Sequence, residues 1–266
     1  MSTGSSGADL APILAHIEEA LERARAAFQR FTPGEVASRF KQGDDPVTEA
    51  DTAVDTLLRE FLPRDGDGWL SEETRDDHVR LERRRVWVVD PLDGTREFVT
   101  GIPEWCVSIG LVVDGEPVAG GICNPVTGET IVGARGHGVT LNGRPATVTG
   151  RPTLDGAQVV ASRSEVKRGE WQGYAADRFA IRPMGSVAYK LGLVAAGLVD
   201  ATWTLTPKHE WDVAAGVALV LAAGGAIVTG SPEETRFNRA KPLLTRLIAA
   251  NPRLIPEIEA EIARRG

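Results

Sequence analysis

One segment constrains this chain more than any other: Trp87-Val88-Val89-Asp90-Pro91-Leu92-Asp93-Gly94-Thr95-Arg96-Glu97-Phe98. It is entered through a short β-rich run, Val86 to Val89, with the length and composition of a buried strand. The run ends in two carboxylates, Asp90 and Asp93, held apart by Pro91. Gly94 permits a sharp turn, and Thr95 is suited to cap a helix. Two acids therefore stand where a strand gives way to a helix N-terminus. Such a terminus attracts phosphate through its free N–H groups and its dipole. Carboxylates beside it would repel an anion unless divalent cations lay between, and hard cations on carboxylate oxygens form that bridge. Taken alone, the same residues also describe a surface turn with two solvated acids, because Asp, Pro and Gly favour turns.

The rest of the chain has to decide between those readings. Its 266 residues suffice for one large domain or two smaller ones. With 42% apolar and 25% charged residues it has the composition of an ordinary globular protein. A net charge of −7 argues against a nucleic acid polymer as partner, yet leaves room for a small anionic substrate held through metal ions. No apolar run approaches the roughly 20 residues of a membrane span. The N-terminus lacks the basic and apolar regions of a secretory signal. Cys106 and Cys123 sit in strand-like runs without metal-ligand spacing, which predicts buried free thiols in a reducing cytoplasm.

Along the chain, Met1 to Gly7 reads as disordered. Apolar residues at helical spacing from Leu10 to Phe28 predict a helix over about 8–31, stopped by Phe31-Thr32-Pro33-Gly34. Residues 41–46 form a polar loop. Thr48 and Asp51 make a weak capping-box pattern before a helix with the stripe Val54, Leu57, Leu58 and Phe61; locally, Asp51 is simply a helix-start acid. Trp69-Leu70 leads into Ser71-Glu72-Glu73, and the charged stretch 74–85 reads as an exposed loop or short helix. After the central segment an antiparallel meander follows. Asp114-Gly115, Asn124-Pro125 and Asn142-Gly143 mark its turns. Composition shifts near Gly150. Beyond it, Val159 to Ala161 forms a strand ending in Ser162-Arg163-Ser164, and a helix is predicted over about 166–176. Strands at 179–182, 201–205 and 227–229 and helices at 186–196 and near 256–264 complete the chain. Between them lies a strongly apolar helix that opens with Trp211-Asp212. A carboxylate there is costly unless paired or metal-bound, although an Asp N-cap explains it locally.

Four pieces now stand together: Asp45-Pro46-Val47-Thr48-Glu49-Ala50-Asp51, Ser71-Glu72-Glu73, Asp90-Pro91-Leu92-Asp93-Gly94-Thr95, and Trp211-Asp212-Val213-Ala214-Ala215-Gly216. In this order and spacing the chain resembles the inositol monophosphatase superfamily of metal-dependent phosphomonoesterases, from about residue 8 to 255. The resemblance implies an α/β fold, an α+β layered sandwich with mixed and antiparallel sheets between helix layers. Residues 1–150 would form an α+β half carrying most metal ligands. Residues 151–266 would form an α/β half carrying Asp212 and the substrate-reading residues. It implies two or three Mg²⁺ ions. Glu72, Asp90 and the Leu92 carbonyl would hold the first, Asp90, Asp93 and Asp212 the second, and a looser third would share Glu72. Thr95 and Asp51 would position the attacking water, and the N–H groups of Gly94 and Thr95 would hold phosphate oxygens. A homodimer and inhibition by Li⁺ also follow from the resemblance.

The resemblance implies a small phosphorylated metabolite as substrate. Inositol monophosphatases usually carry Asp-Gly-Thr-Thr-Asn-Phe; here the sequence is Asp93-Gly94-Thr95-Arg96-Glu97-Phe98. That is more similar to the 3'(2'),5'-bisphosphate nucleotidases, which convert 3'-phosphoadenosine 5'-phosphate to AMP. Ser162-Arg163-Ser164, Gly185-Ser186 with Lys190, and Glu210-Trp211-Asp212 resemble that branch too, so Ser162, Arg163, Gly185, Ser186, Lys190 and Glu210 are its candidate substrate contacts. Inositol enzymes place an acid seven positions before the Trp-Asp aspartate, where this chain has Leu205. A second phosphate needs a cationic partner, for which Arg163, Lys167, Arg168 and Lys190 are candidates. Inositol-1-monophosphatase is the alternative substrate reading, and a silent member acting as a binding or regulatory subunit is the alternative from another class.

Overall fold

The computed structural model describes residues 10–35, 38–40, 46–174 and 177–265. Residues 1–7, expected to be disordered, and residues 41–45 of the expected polar loop lie outside them. Helix α1 spans Ala11–Phe28 and α2 spans Glu49–Phe61. Both pack their apolar stripes, including Ile17, Leu21, Val54 and Leu58, on one face of a seven-stranded sheet. That sheet runs in the order 68–71, 85–93, 106–113, 116–124, 129–134, 138–141, 144–146. Its first pair is parallel and the rest form the expected antiparallel meander. Alternation along Arg85–Asp93 sends Trp87 and Val89 toward α1 and α2, and Val86 and Val88 to the opposite face.

On that opposite face lie α5 (Val187–Ala195) and α6 (Glu210–Ala222), which also cover a second sheet. The second sheet has five strands in the order 180–184, 158–162, 201–204, 247–250, 226–229 and is mixed. Its outer face carries an aromatic cluster, Trp171, Tyr174, Phe179 and Trp203, and the last helix, Ile255–Arg265. The expected α/β sandwich is thus built as helix, sheet, helix, sheet, helix.

Helix α6 is buried on nearly all sides, so its sequence is set by close approach. A Cβ at Gly110 would lie 2.9 Å from the Ala215 nitrogen, and one at Gly120 would lie 2.5 Å from the Ala215 oxygen. On its other side a Cβ at Gly216 would meet Leu191 Cβ at 2.3 Å. The small residues of Ala214-Ala215-Gly216 and the sheet glycines therefore let α6 lie flat on the meander, and this fixes where Asp212 ends up.

Four local expectations change. The helix predicted over 166–176 is a short one, Arg163–Lys167, followed by turns. Gly169 (φ 80°) and Gly173 (φ 89°) break it, and Trp171 is drawn into the aromatic cluster. The charged stretch 74–85 is not simply exposed, because Arg80 is 1% exposed. Gly94 (φ 100°), not Thr95, takes the N-cap position of the five-residue helix α3 (Thr95–Val99). Likewise the N-cap of α6 is His209, and Asp212 is the third residue of that helix, accepting from the His209 N–H at 2.8 Å.

Candidate active site

The central strand does not stop at Asp90. It pairs on to Asp93, with Asp90 opposite Ser108 and Asp93 opposite Cys106. Two residues, Pro91 and Leu92, therefore face the single Val107. Side chains three apart on a regular strand point to opposite faces, and one extra residue restores them to the same side. The bulge at Pro91-Leu92 thus sends Asp90 and Asp93 toward one site.

Parallel pairing sets Ser71 beside Val89, so Glu72 stands next to Asp90. Asp55 on α2 fixes the segment around it, accepting from Ser71 Oγ at 2.5 Å and Thr74 Oγ1 at 2.6 Å. Asp212 arrives on α6 from the far side of the sheet. One carboxylate oxygen from each of Glu72, Asp90 and Asp212 lies within 4.8 Å of the others. Asp90 is 1% exposed and accepts from the Leu92 N–H at 3.0 Å. Burial, and then the charges of Glu72, Asp93 and Asp212, hold its carboxyl well above the usual range. Burial, then Asp93 and Glu72, do the same to Asp212. Acids this crowded ionise together only beside compensating cations, and an all-oxygen donor set suits a hard divalent ion such as Mg²⁺.

Asp93 is not one of that trio. Its Oδ2 accepts from Ser186 Oγ at 2.7 Å and from the Ala188 N–H at 2.5 Å, so it holds the first turn of α5. Ser186 sits at φ 49°, and its Oγ also accepts from the Tyr189 N–H at 3.0 Å. Thr95 Oγ1 lies 3.1 Å from Asp51 Oδ1 and 3.0 Å from the Leu92 carbonyl, to either of which it can donate. Asp51 also completes the capping box with Thr48, whose N–H and hydroxyl donate to Oδ2 at 2.8 and 2.6 Å. Burial pushes the Asp51 carboxyl up, against the opposing pull of its hydrogen bonds.

These groups open into a cleft of about 610 Å³. Glu72, Leu92, Asp93, Gly94, Thr95 and Asp212 line one part of it. The predicted contacts Ser162, Arg163, Gly185, Ser186 and Lys190 line another. Ser162 caps Arg163–Lys167 through the Glu165 N–H. A Cβ at Gly185 would fall 2.7 Å from the Glu104 carbonyl oxygen, which is backbone and cannot rotate away; its N–H donates to the Glu104 carboxylate at 2.9 Å. Arg163 pairs with Glu104, and its Nε is 3.8 Å from Glu97.

Two predicted contacts are placed differently. Lys190 borders the cleft but is 4% exposed, and its ammonium donates to the carbonyls of Met184, Gly185 and Ser186 at 3.4, 3.2 and 2.7 Å. Burial lowers its pKa to about 8. Glu210 is fully buried and does not line the cleft; it accepts from the Asn238 and Arg239 N–H groups at 2.7 and 3.2 Å. Lys167 is also absent from the lining, whereas Arg168 is present and paired with Glu170. His209, exposed at the cleft mouth, stacks on Trp211 with ring centroids 4.3 Å apart.

Sequence reasoning missed Lys208, Asp55 and Glu104. Lys208 lines the cleft and pairs with buried Glu165 at 3.3 Å. Its place four residues before Asp212 was the available signal. Asp55 and Glu104 act through contacts 16 to 81 positions away and leave no local trace.

A family model described as the inositol monophosphatase family matches residues 9–265. An inositol-1-monophosphatase of Mesorhizobium japonicum is 34% identical over 223 residues, covering 79% of this chain and 82% of its own. Among solved structures, the IMPase of Thermotoga maritima aligns with a TM-score of 0.82 at 26% identity, covering 95% of this chain and 97% of its own. CysQ from Bacteroides thetaiotaomicron, a bacterial member of the same family, aligns with a TM-score of 0.74 at 26% identity, covering 90% and 97%.

Proposed function

This chain belongs to the inositol monophosphatase family, and from that premise we propose that it is a Mg²⁺-dependent phosphomonoesterase whose substrate is a 3'(2'),5'-bisphosphate nucleotide such as 3'-phosphoadenosine 5'-phosphate. The observation that carries the chemistry is the convergence of Glu72, Asp90 and Asp212 beside the cleft of about 610 Å³. Glu72, Asp90, Asp212 and the neighbouring Asp93 would hold divalent ions, which would supply charge neutralisation for a phosphate ester and an acidified water.

The chain's own groups do the rest. Thr95 Oγ1 donates to Asp51, which leaves its lone pairs open to accept from a water. Burial raises the proton affinity of Asp51, so the pair can orient that water and take up its proton. Gly94 and Thr95 line the cleft, and their N–H groups are assigned to the phosphate oxygens. No side-chain nucleophile is needed, because phosphoryl transfer asks chiefly for positioning and charge neutralisation.

The nucleotide reading rests on the cleft wall. Arg96, Arg163, Arg168 and Lys208 border it; Arg163, Arg168 and Lys208 are paired with Glu104, Glu170 and Glu165, and a second phosphate would compete with those carboxylates for them. A second reading, inositol 1-phosphate, is favoured by the name of the Mesorhizobium relative and by Glu97, which lines the cleft and can accept from a ring hydroxyl. Homodimer formation, a cytoplasmic setting and inhibition by Li⁺ belong to the same proposal. The deciding experiment compares phosphate release from the two substrates at fixed Mg²⁺. A large preference for the nucleotide supports the first reading. Efficient release from inositol 1-phosphate with the nucleotide left intact replaces it with the second.

A further inference from the structure

Glu210 has no contact with the cleft, yet it sits two residues before Asp212 and is fully buried. A buried carboxylate at a helix start needs partners, and those of Glu210 come from one loop. Its Oε2 accepts from the Asn238 N–H at 2.7 Å. Its Oε1 accepts from the Arg239 N–H at 3.2 Å and from Arg239 Nε at 3.3 Å. The Glu210 N–H donates to the Pro242 carbonyl at 3.0 Å. Beside it, Lys208 and His209 pair with Leu244 and Leu243 as a short antiparallel ladder.

The loop is tied in turn to the segment that follows Glu72. Arg80, itself 1% exposed, donates to Asn238 Oδ1 at 2.7 Å and to the Arg239 carbonyl at 3.0 Å. Asn238 Nδ2 donates back to the Arg80 carbonyl at 3.0 Å. Arg80 also reaches Asp76, four residues after Glu72, at 2.6 Å. Asp76, Arg80, Glu210 and Arg239 alternate in charge, so the network is neutral and its buried members are satisfied.

Two carboxylates of the acid trio, Glu72 and Asp212, thus lie on segments joined by this bridge. We propose that the Glu210–Asn238–Arg80 clamp is a positioning device that sets the spacing of Glu72 and Asp212, and so the affinity of the site for divalent ions. The inference rests on the metal-dependent reading of that trio. It gives Glu210, and the buried Arg80, a role other than touching substrate.

The test is direct binding of Mn²⁺ to the substrate-free protein by calorimetry, alongside its KM for substrate at saturating Mg²⁺. Glu210→Gln puts an amide against donors and leaves Arg239 without its charge partner. Its expected effect is Mn²⁺ binding weakened about tenfold or more, with KM little changed once Mg²⁺ is saturating. Asn238→Gly keeps the positive φ of 60° and the backbone donor to Glu210 but removes both side-chain hydrogen bonds to Arg80, leaving Arg80 its bond to the Arg239 carbonyl. It is expected to weaken Mn²⁺ in the same direction by a smaller factor, and it carries the test if Glu210→Gln does not fold. A clamp that only stabilises the fold would lower the melting temperature and leave Mn²⁺ affinity of the folded variants at the wild-type value; that result overturns the proposal. A wild type that takes up no Mn²⁺ removes the metal reading itself, a failure distinguishable from the first.

Discussion

Thr95 Oγ1 lies 3.1 Å from Asp51 Oδ1, bringing together residues 44 positions apart from the turn after the bulge and the first turn of α2. Asp51 divides its two oxygens between a capping box and this contact. The capping role and the proposed catalytic role use different oxygens, so one does not preclude the other. Thr95→Ala removes the hydroxyl that faces the cleft without touching the capping box. Its expected phenotype is a fall in kcat of about 100-fold or more with near-native stability. Steady-state kinetics and a thermal melt on the same preparation check both halves.

Asp90 and Asp212 make stability depend on pH in a definite sense. Both carboxyls are held well above the unfolded value, so the folded protein binds more protons than the unfolded chain once pH exceeds the ordinary carboxylate range. Stability of the ion-free protein then falls as pH rises through that window, until both groups have ionised. Mg²⁺ binding reverses the trend by stabilising the ionised form. Urea melts from pH 4 to 8, with EDTA and with Mg²⁺, are expected to diverge progressively toward the higher pH. Parallel curves would contradict this account.

Lys190 gives the opposite slope in an alkaline window. Its folded pKa, about 8, lies below the roughly 10.4 of a free lysine. Between those values the unfolded chain binds the extra proton, so stability rises with pH relative to a protein lacking the group. The difference in unfolding free energy between wild type and Lys190→Met should shift in favour of the wild type from pH 8 to 10. A constant difference would mean that Lys190 keeps an ordinary pKa despite its burial.

Gly120 tests the close approach of α6. A Cβ there falls 2.5 Å from the Ala215 oxygen, which is backbone and cannot rotate away. Gly120→Ala is expected to cost about 1–3 kcal/mol of stability. It also pushes the helix carrying Asp212 off the sheet, so activity should fall although the substitution lies outside the cleft. Chemical denaturation together with kinetics distinguishes this from a purely local strain.

How much of this was legible depended on the range of the interaction. The capping pair Thr48 and Asp51, the turn Asp114-Gly115 with φ of 52° and 80°, and the strongly apolar run of α6 are local or periodic signals, and each appears as read. The bulge at Pro91-Leu92 was not legible, because the register that creates it depends on Ser108 and Cys106. The charged stretch 74–85 reads as an exposed loop or short helix; a short helix does form at Val79–Glu82, but the partners that bury Arg80 lie 158 and 159 positions away. Glu210 was read as a substrate contact from its place beside Trp211-Asp212. Its side chain instead serves the Asn238 loop, a difference of direction that residue type does not reveal. Glycine punctuation at 169 and 173 was the overlooked signal against a helix over 166–176.

The most direct test of the central claim is phosphate release by the wild type and Asp90→Asn as Mg²⁺ is titrated into metal-stripped protein, on whichever of the two substrates is preferred. The prediction is no turnover without Mg²⁺, saturable recovery in the wild type, and loss of nearly all turnover in a folded Asp90→Asn variant. Release that persists in EDTA, or that survives Asp90→Asn unchanged, would contradict the assignment of Glu72, Asp90 and Asp212 as the metal site.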